Sequence, residues 1–150
     1  MSAIAWRAVP FDGLAPGELY ALLQLRTEVF VVEQDCVFQD MDGADSEAVH
    51  LLGTREGELV AYARCFAAGV KFAEASIGRV ITRQSLRGQG AGHLLMRQAI
   101  DAVFSRWGRQ PIRIGAQARL EKFYGQHGFQ TAGLPYIEDG IPHVEMLRAI

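Results

Sequence analysis

The sequence predicts a single α/β domain built on a mixed central sheet flanked by helices. Its length of 150 residues suits one domain large enough to bury a real core. Short β-branched runs come first as a hairpin and then alternate with helical patterns, the order expected of a mixed sheet. A glycine-rich turn, Arg87-Gly88-Gln89-Gly90-Ala91-Gly92, joins one such strand to the longest helical pattern. No internal repeat, low-complexity tract or linker rich in Pro, Gly and Ser divides the chain, so residues 1–150 read as one domain.

Taken in order, Ile4 to Val9 is a candidate first strand. Pro16 stands near a helix start, and Leu19, Leu22, Leu23 and Phe30 follow as an amphipathic stripe. Arg26 falls on that stripe, so it is either paired with a carboxylate or reaches an active cleft. Val49 to Gly53 and Leu59 to Cys65 flank Arg55-Glu56-Gly57-Glu58, a hairpin signal. Ala75 to Ile81 is the next strand. A long helix runs from about Gly90 to Trp107, with Met96, Ala99, Ile100, Val103 and Trp107 at helical spacing. Pro111 precedes a short strand, Ile112 to Ala116. Leu120 to His127 reads as a helix stopped by Gly128, the residue type that best takes a left-handed cap. Phe129 to Leu134 and His143 to Leu147 read as two closing strands around an Asp139-Gly140 turn.

Fifteen basic against seventeen acidic residues leave a net charge of −2, which argues against general adhesion to nucleic acid or membrane. No apolar run approaches the roughly 18 residues of a membrane span. The N-terminus lacks a basic region followed by an apolar core, so no signal peptide is expected and the cytoplasm is the expected location. Cys36 and Cys65 are too few for a disulfide framework or a four-ligand zinc site, and free thiols are expected. His50 with Asp40 and Asp42 lacks a second histidine at ligand spacing, so no metal is expected. Charge is nevertheless segregated. Between Ala75 and Ile100 stand Arg79, Arg83, Arg87, His93 and Arg97 with no carboxylate. Between Glu28 and Glu47 stand seven carboxylates with no lysine or arginine. The acidic run is either a solvated loop that packs nowhere special or a surface suited to a cationic co-substrate.

A strand, a glycine-rich turn and a helix start flanked by arginines form a site for a phosphorylated ligand. The unpaired N–H groups of the first helical turn and the helix dipole favour an anion, and glycines let the backbone approach it. A nucleotide triphosphatase would carry a lysine and Ser/Thr after its last glycine, whereas His93 and Leu94 follow Gly92. A dinucleotide fold would place differently spaced glycines near its first strand. A purely structural turn remains the bland reading.

At this point the chain resembles the GNAT superfamily of acyl-CoA-dependent N-acetyltransferases. That family's Q/R-x-x-G-x-G/A motif matches Arg87, Gly90 and Gly92, and its F-Y-x-x-x-G-F matches Phe123, Tyr124, Gly128 and Phe129. Leu25 to Gln34, Gly115 to Ala118 and Glu138 to His143 are similar to the ElaA-type branch, a branch poorly defined in substrate. The resemblance implies a GNAT fold and direct transfer from acetyl-CoA, the acyl-donor co-substrate, to a primary amine. The acceptor would be a small cationic amine or a lysine-like group of a protein. The alternative is a non-catalytic regulatory module that binds acyl-CoA. No nucleic-acid or membrane partner is expected, and the chain would be a monomer or homodimer.

The resemblance also implies roles for residues. The turn Arg87, Gly88, Gln89, Gly90, Ala91 and Gly92 would grip the cofactor's diphosphate. A backbone N–H near Val80 or Ile81 would polarise the thioester carbonyl, a kind of contact worth about 3 kcal/mol in related oxyanion sites. Gln117 stands where many relatives carry an asparagine that bonds the pantetheine arm, and Phe123 accompanies it along the cofactor. Tyr124 occupies the family's general-acid position, with a packed aromatic as the bland alternative. An alkylammonium must lose a proton before it attacks, since its pKa is near 10.4. Candidate bases are Glu28, Glu33, His50 and His143, of which Glu33 is preferred and His50 second.

Overall fold

The structure, a computed structural model, describes residues 3–150. It contains a first strand β1 (Ala5–Pro10), helix α1 (Pro16–Arg26), the hairpin β2 (Val49–Arg55) and β3 (Glu58–Phe66), and strand β4 (Ala75–Thr82). Helix α2 (Ala91–Trp107), β5 (Ile112–Gln117), the short α3 (Glu121–Gly125), β6 (Phe129–Thr131), β7 (Tyr136–Glu138) and β8 (Ile141–Arg148) complete the chain. All eight strands join one mixed sheet in the order β1-β2-β3-β4-β5-β8-β6, with β7 also paired to β8. Among the described residues no helix is long and apolar enough to cross a membrane.

Alternation along the strands supplies two buried faces. Leu51, Ala63, Cys65, Ile77, Ile112 and Ile114 face Leu95, Met96, Ala99 and Val103 of α2. Leu52, Tyr62 and Ile81 face Leu22 and Leu25 of α1. The β2–β3 turn needs two left-handed residues and has them, with φ +53 at Glu56 and +79 at Gly57.

Three expectations change. The first helix does not simply run on through Phe30, because after Arg26 it widens into π geometry over Thr27–Glu33, a form often associated with functional sites. The helix expected over Leu120 to His127 is only one α-helical turn, Glu121–Gly125, preceded by a 3-10 turn at Ala118–Leu120. The strand expected over Phe129 to Leu134 ends at Thr131, because Gly133 turns the chain at φ +145 and Pro135 follows. A separate strand, β7, then pairs with the start of β8 across the Asp139-Gly140 turn, whose φ values of +51 and +76 suit a tight hairpin.

Two irregularities of β4 create the cleft. β4 is parallel to β5 only through Ala75–Ile112 and Ser76–Arg113, and beyond these pairs the strands part. Against β3, Ile81 pairs with Tyr62 but Gly78 pairs with Arg64, so β4 carries one extra residue opposite Ala63. This bulge falls at Arg79, whose φ is +50, a left-handed conformation that side-chain-bearing residues rarely adopt.

Candidate active site

The gap between β4 and β5 opens into a cavity of about 700 Å³. Val80, Ile81 and Thr82 of β4 form one wall, with Gln117 of β5 and Leu120, Phe123 and Tyr124 around α3 on the other side. Arg87 and Gly92 lie at the glycine-rich end, and Glu33 with Gln34 of the segment after α1 also face in. Thus Val80, Ile81, Arg87, Gly92, Gln117, Phe123, Tyr124 and Glu33 meet around one space.

The turn's conformation follows from its glycines. Gly88 and Gly90 have φ of +82 and +78, and Gly90 caps the 17-residue α2. A Cβ on Gly92 would stand 3.4 Å from the Phe123 ring, so a small residue lets the α2 start and α3 approach each other. Gln89 is exposed and its side-chain amide donates to the Ser85 carbonyl at 3.2 Å, while Ala91 is buried beside Val60 and Leu86. Arg87 is half-exposed and pairs with Glu33 at 2.7 Å. Phe123 is backed by His93 and His127, whose ring nitrogens stand 2.8 Å apart.

Tyr124 is buried, and burial pushes its phenol up to about 12, with the Arg119 charge opposing. Its hydroxyl has no hydrogen-bond partner among the described residues. Gln117 exchanges long side-chain contacts with Gln34, at 3.3 and 3.5 Å, and its carbonyl oxygen accepts from Arg119 at 3.1 Å.

The other candidate bases lie elsewhere. His50 is fully buried, away from the cavity. Its Nε2 stands 2.8 Å from the Asp45 carbonyl, which can only accept, so Nε2 carries the proton and Nδ1 accepts from the Tyr62 hydroxyl at 2.6 Å. Both ring nitrogens are therefore engaged in the fold, and His50 does not line the cavity. Glu28 is half-exposed and pairs with Arg83 at 3.4 Å. His143 is buried in β8, stacked on Tyr136, with its Nδ1 2.7 Å from the Ile141 carbonyl.

Burial lowers the pKa of His50 below the usual imidazole value. The unfolded chain therefore takes up the extra proton near pH 6.5, and stability conferred by neutral His50 is present above that pH and lost as pH falls. His127, lowered by burial and by the charges of His93, Arg97 and Arg148, acts in the same direction. Urea unfolding should give lower stability at pH 5.5 than at 7.5, by up to about 1.4 kcal/mol per unit and group. His50→Gln should show a shallower loss, and an unchanged slope would remove His50 as its source.

Three carboxylates of the acidic run, Asp40, Asp42 and Asp45, turn inward onto cations, while Asp35 and Glu47 are exposed. Asp40 accepts from Arg26 Nε at 2.7 Å and from Arg79 Nε at 2.8 Å, Asp45 pairs with Arg26 at 2.7 Å and Arg64 at 3.0 Å, and Asp42 pairs with Arg64 and Lys71. Hydrogen bonding from Arg64 holds Asp42 far below the usual carboxylate range. Burial of Asp45 works against its charge, yet Arg26 and Arg64 keep it below its usual value. Arg26, fully buried on the α1 stripe, is the paired residue of the two expected possibilities.

A second cavity, of about 460 Å³, lies beside the bulge. Phe38, Phe66, Phe72 and Tyr136 give it aromatic walls, and Glu138 and Asp139 bring carboxylates from the β7–β8 hairpin. Neither carboxylate pairs with an arginine or lysine among the described residues. Sequence reasoning missed this cavity and Gln34. Their residues come from loops and strand ends with no shared periodicity.

Residues 18–149 match the family model of the acetyltransferase (GNAT) domain. The chain is 43% identical over 149 residues to Protein ElaA of Escherichia coli (strain K12), with 98% of this chain and 97% of that one covered. A solved acyl-CoA N-acyltransferase from Pseudomonas aeruginosa is 44% identical, with a TM-score of 0.93 over 98% of this chain and 100% of that one. The crystal structure of Escherichia coli ElaA gives a TM-score of 0.89 at 43% identity, covering 97% and 99%.

Proposed function

Because the chain belongs to the GNAT acetyltransferase family, of the ElaA-like kind, whose fold carries acyl transfer from acyl-CoA, we propose that it moves the acetyl group of acetyl-CoA onto a primary amine. The observation that carries this reading is the cavity running from the Arg87–Gly92 turn along the free edge of β4 to Tyr124. Its lining joins a glycine-rich turn with Arg87 at one end to Tyr124 at the other, which suits an extended ligand with an anionic end.

In this reading the turn's backbone N–H groups and the α2 dipole hold the diphosphate. Arg87 adds a cation once it exchanges Glu33 for phosphate oxygens. The amine nitrogen attacks the thioester carbon, the C–N bond forms, and charge gathers on the carbonyl oxygen. An N–H at Val80 or Ile81 stabilises that charge. The C–S bond then breaks, and Tyr124 donates a hydrogen bond to the departing sulfur. Protonation of the thiolate leaves free CoA, and the amine's proton passes to Glu33, released from Arg87, directly or through water.

The acceptor is proposed to enter through the second cavity. Aromatic walls and the Glu138 and Asp139 carboxylates, with the lining cations Arg64, Lys71 and Arg79 already paired to Asp40, Asp42 and Asp45, suit a small cationic amine with an apolar stem or a lysine side chain. With Asp40, Asp42 and Asp45 engaged in internal pairs, recognition of the cation falls to the β7–β8 hairpin. The test is free-thiol release from acetyl-CoA across a panel of polyamines, arylalkylamines and lysine peptides, beside thermal-shift binding of CoA. Amine-dependent thiol release is expected. Binding with no release from any amine would favour the non-catalytic module.

A further inference from the structure

Arg79 combines two unusual properties. It is the residue of β4 that takes φ +50 at the bulge, and it bears a long charged side chain where glycine would be the relaxed choice. Its guanidinium is tied down at both donor edges. Nε donates to Asp40 Oδ1 at 2.8 Å, and an NH2 group donates to the Asp40 carbonyl at 3.0 Å. The rings of Phe30 and Phe38 stand on it at 5.7 and 5.9 Å. Asp40 is itself buried and held from the far side, with Arg26 Nε at 2.7 Å on Oδ2 and an Arg26 NH2 group at 3.3 Å on the same carbonyl. Asp40 thus links the end of α1 to the bulge.

We propose that Asp40 and Arg79 are a positioning pair that holds the β4 bulge in its left-handed conformation and so aims the Val80–Ile81 backbone at the thioester. The proposal rests on the acetyl-transfer reading above for its chemistry, but the backbone claim stands apart from it. Without the tether, a residue bearing a Cβ at position 79 relaxes toward extended geometry and the extra residue of β4 migrates. Val80 and Ile81 then present different N–H directions to the cavity. Arg79 lines the second cavity but not the space beside Val80 and Ile81, so its effect on the thioester runs through the backbone.

Glycine separates tether from conformation, because it takes φ +50 without help. Arg79→Ala removes the tether and keeps the Cβ, whereas Arg79→Gly removes both. In R79A, kcat should fall about 10- to 100-fold while KM for acetyl-CoA stays within about threefold, the loss expected for a misaligned oxyanion donor. R79G should recover kcat to within about threefold of the parent. The infrared carbonyl band of bound 13C-acetyl-CoA should keep its low-frequency shift in the parent and R79G and lose it in R79A. Crystal structures of both variants without ligand read the same claim independently of activity. The Tyr62–Ile81 and Arg64–Gly78 registers should persist together in R79G and not in R79A. Equal kcat in the two variants, whether high or low, or a preserved bulge in R79A, overturns the proposal. A parent protein that binds no acetyl-CoA would instead defeat the acetyl-transfer reading, and the structures would still decide the positioning claim.

Discussion

Arg26→Ala should lower the stability of the chain by about 3 kcal/mol, a large share of the 5–15 kcal/mol typical of a domain. Arg26 is fully buried at the end of α1, where it joins Asp40 and Asp45. Burial works against its charge, but the hydrogen bond it donates to Asp45 and the Asp40 charge more than offset that, so its pKa is raised. Removing it leaves two buried carboxylates short of a cation and a side-chain-sized void beside Tyr62. Arg79 and Arg64 still reach the two carboxylates, which keeps the loss at the lower end of the range for broken buried pairs. Arg26→Met should recover the packing part only. Urea unfolding with an unchanged m value is the measurement. A loss under about 1 kcal/mol in R26A would mean the buried cluster does not organise the fold.

Tyr124→Phe should lower the rate of acetyl transfer on the order of 100-fold while leaving CoA affinity and stability nearly unchanged. The hydroxyl has no partner among the described residues, so its removal orphans no buried group. Burial pushes the phenol up to about 12, above the free-tyrosine value, so Tyr124 stays protonated through neutral pH. A thiolate whose conjugate acid lies near 8.5 cannot readily take a proton from such a phenol. In the proposed reaction Tyr124 therefore acts by hydrogen bonding to sulfur as charge develops, and it should contribute no ionisation to the rate profile below about pH 10. The raised pKa also means that the stability tied to neutral Tyr124 is present below pH 10 and is lost as pH climbs through about 12, a limb absent from Y124F. Single-turnover kinetics decide the point. A chemical step of parental speed in Y124F would remove Tyr124 from the reaction.

The fold was legible wherever one physical rule dominated. Helical spacing of Met96, Ala99, Ile100 and Val103 marked α2, and the glycines before it marked the turn because only they accept φ near +80. The β2–β3 hairpin followed from its two-residue turn. What escaped sequence reading depends on contacts between distant segments. Nothing local distinguishes Asp40 or Asp45, which pair inward with arginines from α1, β3 and β4, from carboxylates facing solvent. His50 carried the right chemistry for a base, and only the neighbours Asp45 and Tyr62 reveal that both its nitrogens are occupied. The bulge at Arg79 was equally silent, since a left-handed arginine is enforced by its partner rather than by its own preference.

Titration calorimetry of the folded chain with CoA and with pantetheine, which lacks the diphosphate, tests the central assignment most directly. CoA should bind with a Kd in the micromolar range or below, and pantetheine at least about 100-fold more weakly, since charge-assisted hydrogen bonds contribute about 1.5–3 kcal/mol each. Folded protein that takes up no CoA, or that takes pantetheine equally well, would contradict a diphosphate site at Arg87–Gly92.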